Sequence, residues 1–422
     1  MKRLIFLELI FLFLATTFSS NPPPPGWYQQ SLPVSDQIND IFFLDSLNGW
    51  LVTPNGYILN TQNGGDNWSI QKDSAGNLYS VQFMDSQTGY VLGNGNHGII
   101  YKTTNSGSNW NLTHDFNPAG IFRDMSFVNK DTGWVCSVDN FDGGVFKTTD
   151  GGNSWVQQFN YGPNNPHKIF FINTDTGWTS NGSGRKLYKT INGGMNWNLQ
   201  YTFSSDIGDV FFNNSNEGFI SSARMYKSTN GGNNWTQSQS DVAGDKIDFV
   251  SDLTGWAGVN FFLVSKTTDG GINWYYQSSP IFNNSSINGV DSLRAWAGGN
   301  GLVRTTDGGG LVMIVKQIST EIPSGFTLYQ NYPNPFNPVT NLEFEIPASR
   351  GELKLGIVSL KVYDMLGKEV AVIVKSKLNP GTYKYEFDGS NFTSGIYFYR
   401  IEISDEKSNI INSETKKMIL TK

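Results

Sequence analysis

Cysteine is nearly missing from this chain: Cys136 stands alone in 422 residues, so no internal disulfide can form and the core must hold by packing alone. Histidine occurs three times, and between residues 21 and 322 glutamate is limited to Glu217 and Glu321. That scarcity leaves few general acids, bases or metal ligands. Charged residues are 16% of the chain, and residues 21–322 carry 16 Lys+Arg against 24 Asp+Glu. A net charge of 16 − 24 = −8 there argues against a nucleic-acid partner, which requires clustered cations. Nucleophile motifs, phosphate loops and dinucleotide fingerprints are absent, as are amphipathic stretches long enough for extended helices. Past the first 20 residues no long apolar run follows.

What is abundant is aromatic residues, 14%, and glycine, 46 residues, a balance that suits short strands joined by tight turns. The start of the chain reads as a secretory signal over 1–20. Lys2 and Arg3 precede a mostly apolar run from Leu4 to Leu14, then small residues.

One phrase recurs seven times, an Asp or Asn, a Gly-rich pair and, in six copies, a Trp. Its first and sixth positions are Asn63 and Trp68, Asn105 and Trp110, Asp150 and Trp155, Asn192 and Trp197, Asn230 and Trp235, Asp269 and Trp274. The seventh copy, at Asp307, has no Trp. The spacings are 42, 45, 42, 38, 39 and 38 residues. A second phrase precedes each, as in Phe43 to Gly49-Trp50 and Phe127 to Gly133-Trp134, and is worn to Gly289 to Ala295-Trp296 in the last. Each unit therefore reads as four strands, and seven such units of about forty residues predict an all-β fold with a seven-bladed β-propeller over 21–310. Both phrases are turns on one rim; the remaining loops lie on the other. Asp or Asn at the turn accepts backbone N–H bonds two or three residues on. Trp27-Tyr28-Gln29-Gln30 matches the fourth-strand sequence Trp155-Val156-Gln157-Gln158, which predicts that the N-terminal segment closes the last blade. The alternative strand is Leu311 to Lys316.

These turns resemble the Asp-box of neuraminidase repeats, and with the Gly-Trp phrase they are similar to the propeller of the photosystem II assembly factor family. That family's role is associated with an arginine-rich patch, whereas this propeller has Arg123, Arg185, Arg224, Arg294 and Arg304, the last replacing the repeat's Lys102 and Lys147.

Beyond a linker over 311–325, residues 326–422 show period-two strands at Leu342–Ile346, Leu360–Tyr363, Tyr383–Phe387 and Ile396–Ile403, the pattern of a small immunoglobulin-like β-sandwich. An extended proline arm, Tyr332-Pro333-Asn334-Pro335-Phe336-Asn337-Pro338, leads in, and Gly367, Gly395 and Tyr397 sit in later phrases. This segment resembles the type A C-terminal sorting domain of the type IX secretion system. The resemblance implies export through the periplasm to the outer-membrane surface of Bacteroidetes or to the medium. It also implies partners in the secretion machinery, and a sortase that clips the domain and leads to lipopolysaccharide attachment or release.

For chemistry the candidates are thin. A sialidase requires an arginine triad with a Tyr and Glu pair, and neither is present; a two-Asp glycosidase stays open as an alternative. His97, His114 and His167 read as solvated loop residues, so no metal and no cofactor is expected. On the loop rim Phe116, Phe141, Tyr161, Phe203, Phe261 and Phe282, with Arg185 and Arg224, are candidates for binding an unknown glycan or protein, or else pack under their own loops. The functional expectation is a secreted or cell-surface binding module, not an enzyme, with a structural surface component as the third reading.

Overall fold

The computed structural model describes residues 26–422 apart from 117–120, 139–143, 161–165, 182–184, 240, 241, 243, 260–262, 310–314, 320, 349–354, 377, 379, 390, 391 and 406–409. The signal segment expected at the start thus lies outside the described residues. Among the described residues the fold consists of nine four-stranded antiparallel sheets. Seven are blades, whose innermost strands are Asp40–Phe43, Asn77–Phe83, Ile121–Phe127, Pro166–Phe171, Asp209–Phe212, Lys246–Phe249 and Ser286–Gly289. Each touches the next, and the last touches the first, which makes a closed ring.

A blade buries its faces only against its neighbours, and one aromatic joint does this at nearly every interface. The Phe ending each innermost strand lies flat on the second-strand aromatic of the preceding blade. The pairs are Trp50–Phe83, Tyr90–Phe127, Trp134–Phe171, Trp178–Phe212, Phe219–Phe249 and Trp296–Phe43, with centroids 3.5–3.8 Å apart. The Trp of the same blade's Gly-rich turn meets that Phe edge-on, as Trp110 meets Phe83 at 5.8 Å. Lysine in the third strand then reaches the turn of the following blade. Lys102 donates to the Gly151 carbonyl at 3.0 Å and Lys227 to that of Gly270 at 2.7 Å. Arg304 does the same for Gly64, so it stands in for the repeat's lysine as its position implied.

The seventh interface is different, because Gly289 replaces the Phe. A Cβ there would lie 2.7 Å from Trp256 Cδ1. Trp27 fills the gap, edge-on to Trp256 at 5.6 Å, and its indole N–H donates to Gln277. Tyr28–Gln30 pairs with Gly301–Thr305 as the fourth strand of blade seven, and Gly26 N–H donates to Asp307 at 2.9 Å. The N-terminal segment therefore closes the ring; of the alternative Leu311–Lys316, residues 311–314 lie outside the described residues, and Val315 and Lys316 pair with Tyr385 and Lys384 instead.

The hub of each Gly-rich turn is the hydroxyl two residues before the Asp or Asn. In the third copy Thr148 Oγ1 accepts from Asp150 N and Gly152 N and donates to Asp150 Oδ1, which accepts from Ser154 N. The carboxylate thus caps an N–H four residues on, farther than the two or three expected. Gly151 and Gly152, at φ 71° and 87°, take backbone angles that a Cβ would strain.

At the axis, the exposed edges of six innermost strands, all but Asp209–Phe212, are capped by a side chain of the preceding blade. Asp40 accepts from Val81 N, Gln82 from Phe127 N, Asp124 from Ile169 N, Ser126 from Phe171 N, Asp209 from Ile247 N, Asp248 from Gly289 N and Asn288 from Phe43 N. Lys246 reaches across the ring to Asp40, and Lys168 lies 3.9 Å from Asp209. Burial pushes Asp124 and Asp248 up to about 6, with Asp209 adding to both. Burial opposes the charge of Lys168 and Lys246, yet the surrounding aspartates outweigh it and hold both above the usual lysine value.

The last two sheets form the sandwich. One orders Val315–Ser319, Gly381–Asp388, Val339–Ile346 and Thr327–Leu328; the other orders Glu369–Ser376, Leu355–Tyr363, Gly395–Asp405 and Ile410–Leu420. Their inner faces share a core that includes Phe344, Leu360, Tyr385, Tyr399 and Met418. The segment expected as linker thus supplies a strand, since Val315–Ser319 pairs with Gly381–Asp388. The proline segment is not an extended arm. Phe336 is buried, its N–H donates to Ile419 O, and Asn334 Oδ1 accepts from Ile419 N. Tyr332 is exposed at 79%, and Tyr397 donates to the Thr393 carbonyl.

Two outcomes follow from this packing. Trp27→Ala removes a buried ring at the closing joint and is expected to cost about 3–5 kcal/mol, read by denaturant unfolding; an unchanged midpoint would sink the closure role. Asp124 and Asp248 have raised folded-state pKa values, so the stability they contribute is complete below about pH 4 and is lost as pH rises through about 6. Asp124→Asn should therefore flatten the decline in thermal midpoint between pH 4.5 and 7, by roughly 1–2 kcal/mol across the window.

Candidate functional site

The rim that carries both repeated phrases spends its polar groups on itself. Asp45 Oδ1 accepts from Leu47 N and Asn48 N, Asp85 Oδ1 from Gln87 N and Thr88 N, and Asp291 Oδ1 from Leu293 N and Arg294 N. Hydrogen bonds from Ser154 hold the Asp150 carboxyl down at about 2. These turns are scaffold, with their polar groups turned inward on the turns themselves.

On the opposite, loop rim the candidate aromatics divide. Phe116 and Phe203 are each 5% exposed: Phe116 packs on Phe122 at 4.2 Å, and Phe203 on Tyr226 at 5.2 Å and Trp235 at 5.6 Å. Both are loop-packing rings and cannot meet a ligand. Phe282 is exposed, while Phe141, Tyr161 and Phe261 lie outside the described residues. Arg224 is half-buried. Arg185, at φ 53°, donates through Nε to Asp206 at 3.3 Å and through its guanidinium to Ser204 O. An open depression of about 690 Å³ lies on this rim at the closing seam, between Gln29–Gln37 and Asn300–Leu302.

The histidines do not assemble. His97 Nδ1 sits 3.4 Å from Asp115, His114 packs on the Phe116 ring at 4.4 Å, and among the described residues no three His, Cys, Asp or Glu side chains group as metal ligands. Cys136 is fully buried, and burial holds its thiol well above the ordinary value, as a packing residue.

His167 is not in a connecting loop but in an innermost strand, and it belongs to a group that no single stretch of sequence displays. The pairing between first and second strands slips by one residue between Leu78 and Ser80, Phe122 and Asp124, and Pro166 and Lys168. The residues left over are Tyr79, Arg123 and His167, in three consecutive blades, at the end of the axis nearest the loop rim. A bulge takes its extra residue out of the ladder and re-aims its side chain. Arg123 lies over the Tyr79 ring, 5.3 Å from its centroid, and Tyr79 OH accepts from Asn77. His167 is pushed down to about 4 by burial and then by the charges of Lys168 and Arg123, so its ring is neutral at neutral pH. All three side chains are half-buried.

Comparison with known proteins agrees with this architecture. Residues 22–114 match the family described as photosynthesis system II assembly factor YCF48, and residues 330–420 match the secretion system C-terminal sorting domain. The photosystem II assembly lipoprotein Ycf48 of Synechococcus is 29% identical over 145 residues, 33% of this chain and 40% of that protein. The chain spans less than half the length of the curated relatives it matches. Among solved structures, YCF48 bound to D1 peptide is 18% identical with a TM-score of 0.56, covering 67% of this chain and 99% of that one. The GH74 enzyme of Niastella koreensis is 13% identical with a TM-score of 0.55, covering 76% of this chain and 59% of that one. At those identities the likeness is one of fold. With its ring of seven blades and its C-terminal sandwich, the chain is a β-propeller protein whose first blades resemble the Ycf48 family and whose C-terminal segment matches a secretion-system sorting domain.

Proposed function

We propose that the propeller is a non-catalytic binding module, and that the C-terminal sandwich is the signal through which the type IX machinery exports it to the cell surface or the medium. The observation that carries the binding reading is how polar groups are spent. Those of the repeated turns are consumed by the scaffold, whereas Tyr79, Arg123 and His167 are turned off the ladder on the loop side. A structural neighbour of the same fold is known bound to a peptide, which supports a polypeptide ligand for this propeller. A glycoside hydrolase shares the fold as well. Against that reading, the axial aspartates are each tied to a backbone N–H of the next blade. A carboxylate so engaged is a poor nucleophile or base.

Two experiments test the two halves. Because Val315–Ser319 belongs to the sandwich, the export truncation belongs after Gly309. Cells making that shortened chain should retain it inside the outer membrane while the full chain reaches the surface or medium; equal export of both would refute the sorting role. The full chain should capture ligands on peptide and glycan arrays yet leave a panel of glycosidase substrates intact. Turnover of any substrate would overturn the non-catalytic reading.

A further inference from the structure

Only three of the seven innermost strands are bulged, and they are adjacent. The strands at Asp40–Phe43, Asp209–Phe212, Lys246–Phe249 and Ser286–Gly289 pair with their second strands without a slip. They have four residues each, whereas those of blades two, three and four have seven, seven and six. Three adjacent blades of the seven have thus been lengthened toward the loop rim and broken at one height. The corresponding positions in the unbulged blades hold Asn39, Gly208, Asp245 and Ser285, with no aromatic or cationic side chain among them. A bulge gives up ladder pairing, and here all three place a residue rich in recognition chemistry at the same level.

Arg123 is the centre of the group. Arg123 is half-buried with its guanidinium over the Tyr79 ring, and among the described residues no carboxylate lies within ion-pair distance of it. Five donors in a rigid fork are matched by a bidentate carboxylate. Beside it, His167 Nδ1 is buried and has no hydrogen-bond partner among the described residues. Lys168 follows one residue deeper, with Asp209 at 3.9 Å as its ion pair. The deeper layer holds four carboxylates, Asp40, Asp124, Asp209 and Asp248, against Lys168 and Lys246, and Arg123 is a third cation nearer the mouth. The aspartates there are already engaged, Asp40 with Ser80, Ser286 and Lys246, and Asp124 with the N–H groups of Met125 and Ile169. A ligand anion at the mouth therefore meets Arg123 and His167 before any of these carboxylates.

We propose that Tyr79, Arg123 and His167 form a carboxylate-binding site at the loop-side mouth of the propeller axis. Arg123 holds the carboxylate by its fork, His167 contributes a ring nitrogen, and Tyr79 gives the adjoining part of the ligand a flat face to lie on. The proposal rests on the reading of the propeller as a binding module and narrows it to one chemistry. A peptide C terminus and a uronic acid both present that group.

Calorimetric titration of the full chain separates them. The probes are acetyl-Ala-Phe against its C-terminal amide, and galacturonic acid against galactose. At least one acid should bind about tenfold more tightly than its neutral counterpart, the order expected for a charge-assisted bond of about 1.4 kcal/mol. Which pair shows the preference identifies the source. Arg123→Gln should abolish the preference, Arg123→Lys should restore part of it, and Tyr79→Leu should weaken the acid; all three should keep the wild-type thermal midpoint. Arg294→Gln, on the opposite rim beside Asp291, should change nothing. If neither acid outbinds its neutral form, or Arg123→Gln keeps the preference, the proposal fails. Capture of peptides or glycans on the arrays without a carboxylate preference would leave the binding module standing and remove this site alone.

Discussion

Seven sheets arranged around an axis present seven unpaired strand edges to one another, and a bare edge is costly to bury and prone to pair wrongly. The solution in this chain, at six of the seven interfaces, is a side chain that accepts the next blade's N–H: Asp40 for Val81, Asp124 for Ile169, Asp209 for Ile247 and Asp248 for Gly289 among others. At the interface of blades four and five, two rings, Phe170 and Phe211 at 5.1 Å, meet instead. Using carboxylates for this work concentrates negative charge at the centre, which explains Lys168 and Lys246, while burial, with Asp209 adding to it, makes Asp124 and Asp248 reluctant to ionise. The fold's solution to its edges thus creates the electrostatics of its axis.

The aromatic joints are a second, more regular layer. A Phe held flat on one side by the preceding blade and edge-on by its own turn Trp recurs around the ring until Gly289 interrupts it. Trp27 enters there and touches Trp256 directly, so loss of one ring and gain of another occur at the same interface. The N-terminal strand and the third strand of the last blade then pair over only three residues, which makes the Trp27 ring a large share of what holds the seam.

Much of this was legible in the chain itself. The period near forty residues, the missing seventh Trp, the match of Trp27-Tyr28-Gln29-Gln30 to a fourth strand and the substitution of Arg304 for lysine are local patterns, and local patterns survive being read one residue at a time. The turn chemistry was nearly so: the acidic or amide residue was identified, but the hydroxyl of Thr148 and its counterparts carries more of the hydrogen bonding. The loop aromatics were not legible, because a Phe under its loop and a Phe facing solvent look identical in sequence; packing against Phe122 and Trp235 decided Phe116 and Phe203. The strand Val315–Ser319 was missed because its partner, Gly381–Asp388, lies more than sixty residues on.

The repeat determined by itself that there would be seven blades and where the ring closes, and separate period-two strands and motifs over 326–422 that a sandwich with a sorting-domain signature follows. Periodicity and turn residues are short-range properties, and burial of identical faces leaves one way to stack them. What the axis contains was decided only by tertiary structure. Asp40 and Lys246 are 206 residues apart and become neighbours when the ring closes. Tyr79, Arg123 and His167 follow one another at intervals of 123 − 79 = 44 and 167 − 123 = 44 residues and share a height only because three strands slip by one residue. A register shift leaves no mark in composition or period, since it is set by how each strand meets its partner.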